Sequence, residues 1–118
     1  MKYVCLVYAE EANMRALSPE AGIRLTDASI DYDTELTQRG HRIVSQALEA
    51  PSSAVTIRVR NGKMTSTDGP FAETKEHLAG FILIEARDLN EAIRIAEGIP
   101  MAQVGTVEVR PVLSMSHS

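Results

Sequence analysis

The sequence predicts an α+β domain with ferredoxin-like βαββαβ order and an inserted β-hairpin. Three observations lead there. The 118 residues read as strand, helix, strand, ribbon, strand, helix, strand. Asn61-Gly62, the strongest short hairpin signal in the chain, joins two strand-like runs. The strands at 2–9 and 78–86 are apolar on both faces, as strands covered from both sides are.

Residues 2–9 carry Tyr3, Cys5 and Val7 on one side and Val4, Leu6 and Tyr8 on the other. Ser18-Pro19 opens a helix, with serine at the N-cap and proline at the first helical position. Leu25, Ala28, Tyr32 and Leu36 form its apolar stripe, most of the acids fall off that stripe, and Gly40 ends it. A short strand follows near 41–47, then a loop around Pro51. Residues 54–60 alternate, with Val55, Ile57 and Val59 on one side, and 63–67 return as the second strand of the ribbon. Residues 78–86 are a strand and 89–97 a second helix, closed by Gly98 and Pro100. Residues 104–112 read as a last strand. Its Glu108, Arg110 and Pro111 fit either a protected edge or a charged pair at a dimer seam. The tail, which holds His117, is expected to fray.

Two helices cover only one face of a sheet of this order. Apolar residues on the other face need a cover, and a second copy of the chain is the simplest candidate. The predicted assembly is therefore a homodimer through the sheet face.

The length suits a single domain over residues 1–118. Hydrophobic residues are 44% and charged residues 24%, ordinary for a globular protein. The net charge of −4 and scattered basic residues argue against a nucleic-acid surface. No apolar run is long enough to span a bilayer, and no membrane partner is expected. Glu10 and Glu11 directly follow the apolar opening, which reads as a strand and not a signal peptide. The single Cys5 excludes an internal disulfide and reads as a small buried hydrophobe. Together these features predict a cytoplasmic protein.

The densest chemistry lies in Asp68-Gly69-Pro70-Phe71-Ala72-Glu73-Thr74-Lys75-Glu76. Asp68 opens a turn, where its carboxylate either satisfies backbone donors or stands at a cleft mouth as a general base. Pro70 is expected to hold Gly69 extended. Phe71 is read as an anchor packing the loop onto the core, or else a substrate platform. If 72–77 are extended, Glu73, Lys75 and His77 share one face, with neighbours about 6.6 Å apart. Ala79, Phe81 and Leu83 would continue that face inward as an apolar surface. Lys75 is expected to be a cation that holds a substrate carboxylate or enolate, or an ion pair that straps the loop. His77 can exchange protons near neutral pH or be merely structural. Tyr8 and Tyr32 are mostly core by position, with hydroxyls in reach of a cleft. No zinc-type spacing, phosphate loop, dinucleotide fingerprint or nucleophile elbow is present, so neither a metal nor another cofactor is expected.

The nine-residue run, the opening Met1-Lys2-Tyr3-Val4 and the closing Val107-Glu108-Val109-Arg110-Pro111 resemble the YCII-related proteins. The likeness is to the branch named after its Asp-Gly-Pro-Phe (DGPF) motif and covers nearly the whole chain. It implies a dimeric α+β barrel with a cleft between sheet and helix. It also implies an association with extracytoplasmic-function sigma factors. A few relatives look like enzymes acting on ring-derived or muconate-like compounds. The family's suspected His–Asp dyad does not carry over, because no histidine lies between Met1 and Gly40.

Two functions remain open. One is a small cofactor-free isomerase or lyase that binds an acidic or enolisable compound. Asp68, Glu73 or His77 would move a proton, Lys75 would hold negative charge, and Phe71, Tyr8 and Tyr32 would complete the pocket. The other is a non-catalytic dimeric sensor or sigma-factor partner using the same cleft.

Overall fold

The structure, a computed structural model, describes residues 1–115, so His117 lies outside the described residues. The elements are β1 (Lys2–Ala9), α1 (Glu11–Arg15), α2 (Pro19–Gln38), β2 (Arg42–Ala47), β3 (Val55–Arg60), β4 (Lys63–Asp68), β5 (His77–Glu85), α3 (Leu89–Glu97) and β6 (Thr106–Pro111). Four strands form one antiparallel sheet in the order β2-β5-β1-β6. This is the ferredoxin-like order. β3 and β4 form a separate two-stranded arm. Its tip turns through Asn61 and Gly62, both at positive φ, as a tight hairpin of matching twist requires.

Local signals explain the helix ends. The Ser18 hydroxyl accepts from the Ala21 N–H at 3.1 Å, and Asp88 accepts from the Glu91 N–H at 2.9 Å. Two elements differ from the sequence reading. Residues 11–15 form a short extra helix. The last strand begins at Thr106, because Pro100–Gln103 form a 3-10 turn.

The core lies between the sheet and the helices. Tyr3, Cys5, Val7, Ile82 and Ile84 rise from the sheet to meet Leu36 and the α3 face of Ala92, Ile95 and Ala96. Val4, Leu6 and Tyr8 of β1 and Phe81 and Leu83 of β5 point the other way, partly exposed, where no helix packs.

The helices pack unequally. α3 buries three residues, whereas α2, twice as long, fully buries only Leu36. The inner face of α2 is Leu25, Ser29, Tyr32 and Leu36, all at least partly buried; Ala28, expected on this stripe, is exposed. A serine and the neighbouring Asp33 thus occupy places where a close-packed helix would carry larger apolar residues. Open space separates this part of α2 from the sheet.

Candidate functional site

Between α2 and the sheet lies a cleft of about 580 Å³. That volume is typical of small-molecule sites. Val7 and Ile82 contribute to its floor, and Leu25, Ile99 and Met101 to its apolar walls. α1 reaches it through Met14.

Two irregularities in strand pairing bring Arg42 and His77 to a polar lining that also includes Glu11, Thr26, Ser29, Gln46 and Glu49. In β2 the register with β5 slips between Arg42 and Val44, which places Arg42 opposite Ile84 and Ser45 opposite Ile82. Residues three apart normally face opposite sides of a strand; the slip puts both on the helix side. There Arg42 Nε donates to Ser45 Oγ at 2.7 Å, and Ser45 Oγ donates to Asp33 Oδ2 of α2 at 2.8 Å. Arg42 Nε and Asp33 Oδ2 are 4.0 Å apart, with side chains 30% and 36% exposed.

The second slip lies between β1 and β5. Val7 pairs with Gly80 but Tyr8 pairs with Leu78, so Ala79 is skipped. His77 therefore falls opposite Ala9, on the buried face of β1, and lines the cleft. Phe81 and Leu83 stay on the helix-free face, so the expected continuous face from His77 through Ala79, Phe81 and Leu83 is not formed. His77 is five residues from Ile82, the partner of Ser45, about 17 Å along the strand. The imidazole and the Asp33–Ser45–Arg42 chain thus mark two ends of the cleft.

The other predicted residues are placed as follows. Tyr32 lines the cleft, but its hydroxyl donates to the Ile95 carbonyl at 2.7 Å. Burial pushes its pKa up, and the charge of Glu35 adds to that. Tyr8 lies opposite Leu78, away from the cleft. Asp68, Phe71, Glu73 and Lys75 are exposed and do not line it. Residues 71–76 run through bends and are not extended, so the alternation expected for Glu73, Lys75 and His77 is absent. Gly69 takes a φ of +94° and not an extended conformation, a backbone state only glycine adopts readily. Its N–H donates to the Ala54 carbonyl, and its own carbonyl accepts from Thr56 Oγ1 at 2.8 Å.

Phe71 is 78% exposed and anchors nothing in this chain. The loop is held instead by Thr74, which donates to the Glu76 carbonyl, and by Thr106, which donates to the Glu76 carboxylate at 3.0 Å. Among the described residues neither Asp68 nor Lys75 forms a side-chain hydrogen bond or ion pair.

Cys5 is fully buried, and burial pushes its thiol up to about 11, which leaves no reactive thiolate near neutral pH. Among the described residues no cluster of three His, Cys, Asp or Glu side chains is placed to hold a metal ion. No helix among them is long and apolar enough to cross a membrane.

Sequence reasoning missed Asp33, Arg42 and Ser45 as a set. Only the position of Asp33, beside Tyr32 on the inner face of α2, hinted at it.

The model of the YCII-related domain matches residues 1–116. The chain belongs to the YCII-related family. It is also 34% identical over 114 residues to the uncharacterized protein R00369 of Rhizobium meliloti (strain 1021), an alignment covering 95% of this chain and 92% of that protein. In this family member, the cleft between sheet and α2 is a concave site, and its polar groups come from α1, α2, β2, the loop after β2 and the start of β5.

Proposed function

We propose that the cleft binds a small acidic or enolisable molecule with an apolar body. The observation that carries this reading is a cleft of about 580 Å³ with largely apolar walls and, among its polar side chains, Asp33, Arg42 and Ser45 toward one end and His77 toward the other. Such a site orients a small ligand by its polar ends while hydrophobic contact holds its middle. Chemistry within this reading is a cofactor-free isomerisation or elimination. Asp33 is the group suited to accept a proton, since its Oδ1 accepts no hydrogen bond among the described residues.

A second reading, a non-catalytic dimeric sensor using the same cleft, is favoured by one observation. By strand register His77 lies about 17 Å along the sheet from the position of Ser45, which bonds Asp33, a wide separation for His77 and Asp33 to act as an acid–base pair on one bond of a small ligand.

The assembly in either reading is a homodimer. The partly exposed Val4, Leu6, Phe81 and Leu83 form one apolar face, and the arm exposes Val55, Ile57, Val59 and Met64. A two-stranded ribbon is at best marginally stable alone in water. Sedimentation at micromolar concentration is expected to give twice the 12.9 kDa chain mass, and a single species at the chain mass defeats the dimer.

Thermal-shift screening of small acids against neutral compounds tests the cleft. A ligand at 100 times its dissociation constant adds about 2.7 kcal/mol of stability. Silence from every compound of suitable size removes the binding reading.

A further inference from the structure

We propose that Arg42 is a preset receptor for a singly charged carboxylate at the β2 end of the cleft, with Ser45 and Asp33 as its positioning residues; this rests on the cleft being a ligand site.

An arginine beside an aspartate ordinarily closes a fork-to-fork pair, with two parallel hydrogen bonds that use up both groups. Here Ser45 is interposed. It accepts from Arg42 Nε at 2.7 Å and donates its own hydrogen bond to Asp33 Oδ2 at 2.8 Å, while Arg42 Nε and Asp33 Oδ2 stay 4.0 Å apart. The guanidinium is thereby fixed through one of its five donors. Among the described residues its two terminal nitrogens donate to no protein acceptor. The strand slip in β2 holds this arrangement on the cleft side, and Arg42 lines the cleft wall. A ligand carboxylate meets a planar fork whose orientation is already set, so little side-chain freedom is lost on binding.

The charge of the group also selects. Arg42 and Asp33 sum to zero, Glu11 of the lining is paired with Arg15, and Glu49 adds one more negative charge to the cleft, so a monoanion sees a nearby cation with carboxylates behind it. A dianion meets greater repulsion from that aspartate at the same place. The apolar wall by Val7, Ile82 and Met101 receives the body of the ligand. The ligand class is therefore an apolar monocarboxylate, and not a phosphate ester.

The test compares 2-naphthoate, 2-naphthamide and 2-naphthylphosphonate by calorimetric titration of the purified full chain. The unaltered protein is expected to bind the carboxylate at least tenfold more tightly than the amide, and more tightly than the phosphonate. Arg42→Met is expected to bind carboxylate and amide equally. Arg42→Lys keeps the charge but not the fork, and is expected to lose about tenfold for the carboxylate. It serves as the second variant should Arg42→Met fail to fold. Asp33→Asn is expected to narrow the gap between phosphonate and carboxylate, a change that a purely structural aspartate would not produce. Equal binding of carboxylate and amide by the unaltered protein defeats the receptor while leaving the cleft as a site. A preference that survives in Arg42→Met defeats it too. If none of the three compounds binds, both the receptor and the cleft reading fall.

Discussion

The cleft and the arm with its adjoining loop build exposed chemistry in opposite ways. The loop from Asp68 to Glu76 concentrates carboxylates, a lysine and an aromatic in nine consecutive residues, yet Asp68, Phe71, Glu73 and Lys75 all face solvent. The cleft gathers its polar groups from α1, α2, β2, the loop after β2 and β5, and a strand slip turns Arg42 and another turns His77 toward it. Density along the chain carries the resemblance read from the sequence. Convergence in space marks the candidate site. A slip of one residue is enough to separate the two, because it changes which face every following side chain takes.

Stability should divide along the same line. Ile84, fully buried in the sheet beside the cleft, is expected to cost about 2–5 kcal/mol when replaced by alanine. Ile57, more than half exposed on the arm, is expected to cost less than about 0.5 kcal/mol in dilute monomer. Urea unfolding of both variants checks this, and equal losses would erase the distinction between a packed sheet and an unsupported arm.

The pH dependence of the dry side of the sheet comes next. Burial raises the Cys5 thiol from 9.0 to about 11. The folded state thus keeps a proton that the unfolded chain releases above about pH 9. The stability this provides is complete below pH 9 and falls as pH rises toward 11, by roughly 3 kcal/mol. Denaturation midpoints at pH 8 and pH 10.5 should show the fall, and Cys5→Ala should flatten it. Tyr32, also raised, adds to the fall from about pH 10.

Tyr32→Phe removes the hydroxyl's hydrogen bond to the Ile95 carbonyl, which keeps the Gly98 N–H as a donor, and is expected to cost about 1 kcal/mol in the same unfolding assay. The smallest effect is expected at Phe71→Ser, within about 0.5 kcal/mol, since the ring is 78% exposed. A larger loss in dilute monomer would mean that the ring packs on its own chain after all.

The fold was largely legible from the sequence. Serine and proline at 18–19, Asn61-Gly62 and two strands apolar on both faces place the main elements and their order. The site was less so, for physical reasons. Arg42 and Ser45 share a face only through a pairing slip, and such slips depend on the partner strand and not on local residue preferences. Ser29 replaces Ala28 on the inner face of α2, so the stripe drawn from apolar residues alone missed a polar residue that lines the cleft. Around Asp68 the turn chemistry was plain, but the bends after Pro70 removed the alternation on which a shared Glu73–Lys75–His77 face depended.

The most direct measurement is an amide chemical-shift titration of the labelled full chain with 2-naphthoate. Perturbations should gather at Ser29, Asp33, Ser45, Ile82 and Met101 around the cleft, with Phe71 to Lys75 unmoved. Perturbations confined to residues 68–76, with the cleft silent, would put the ligand site on the exposed loop instead.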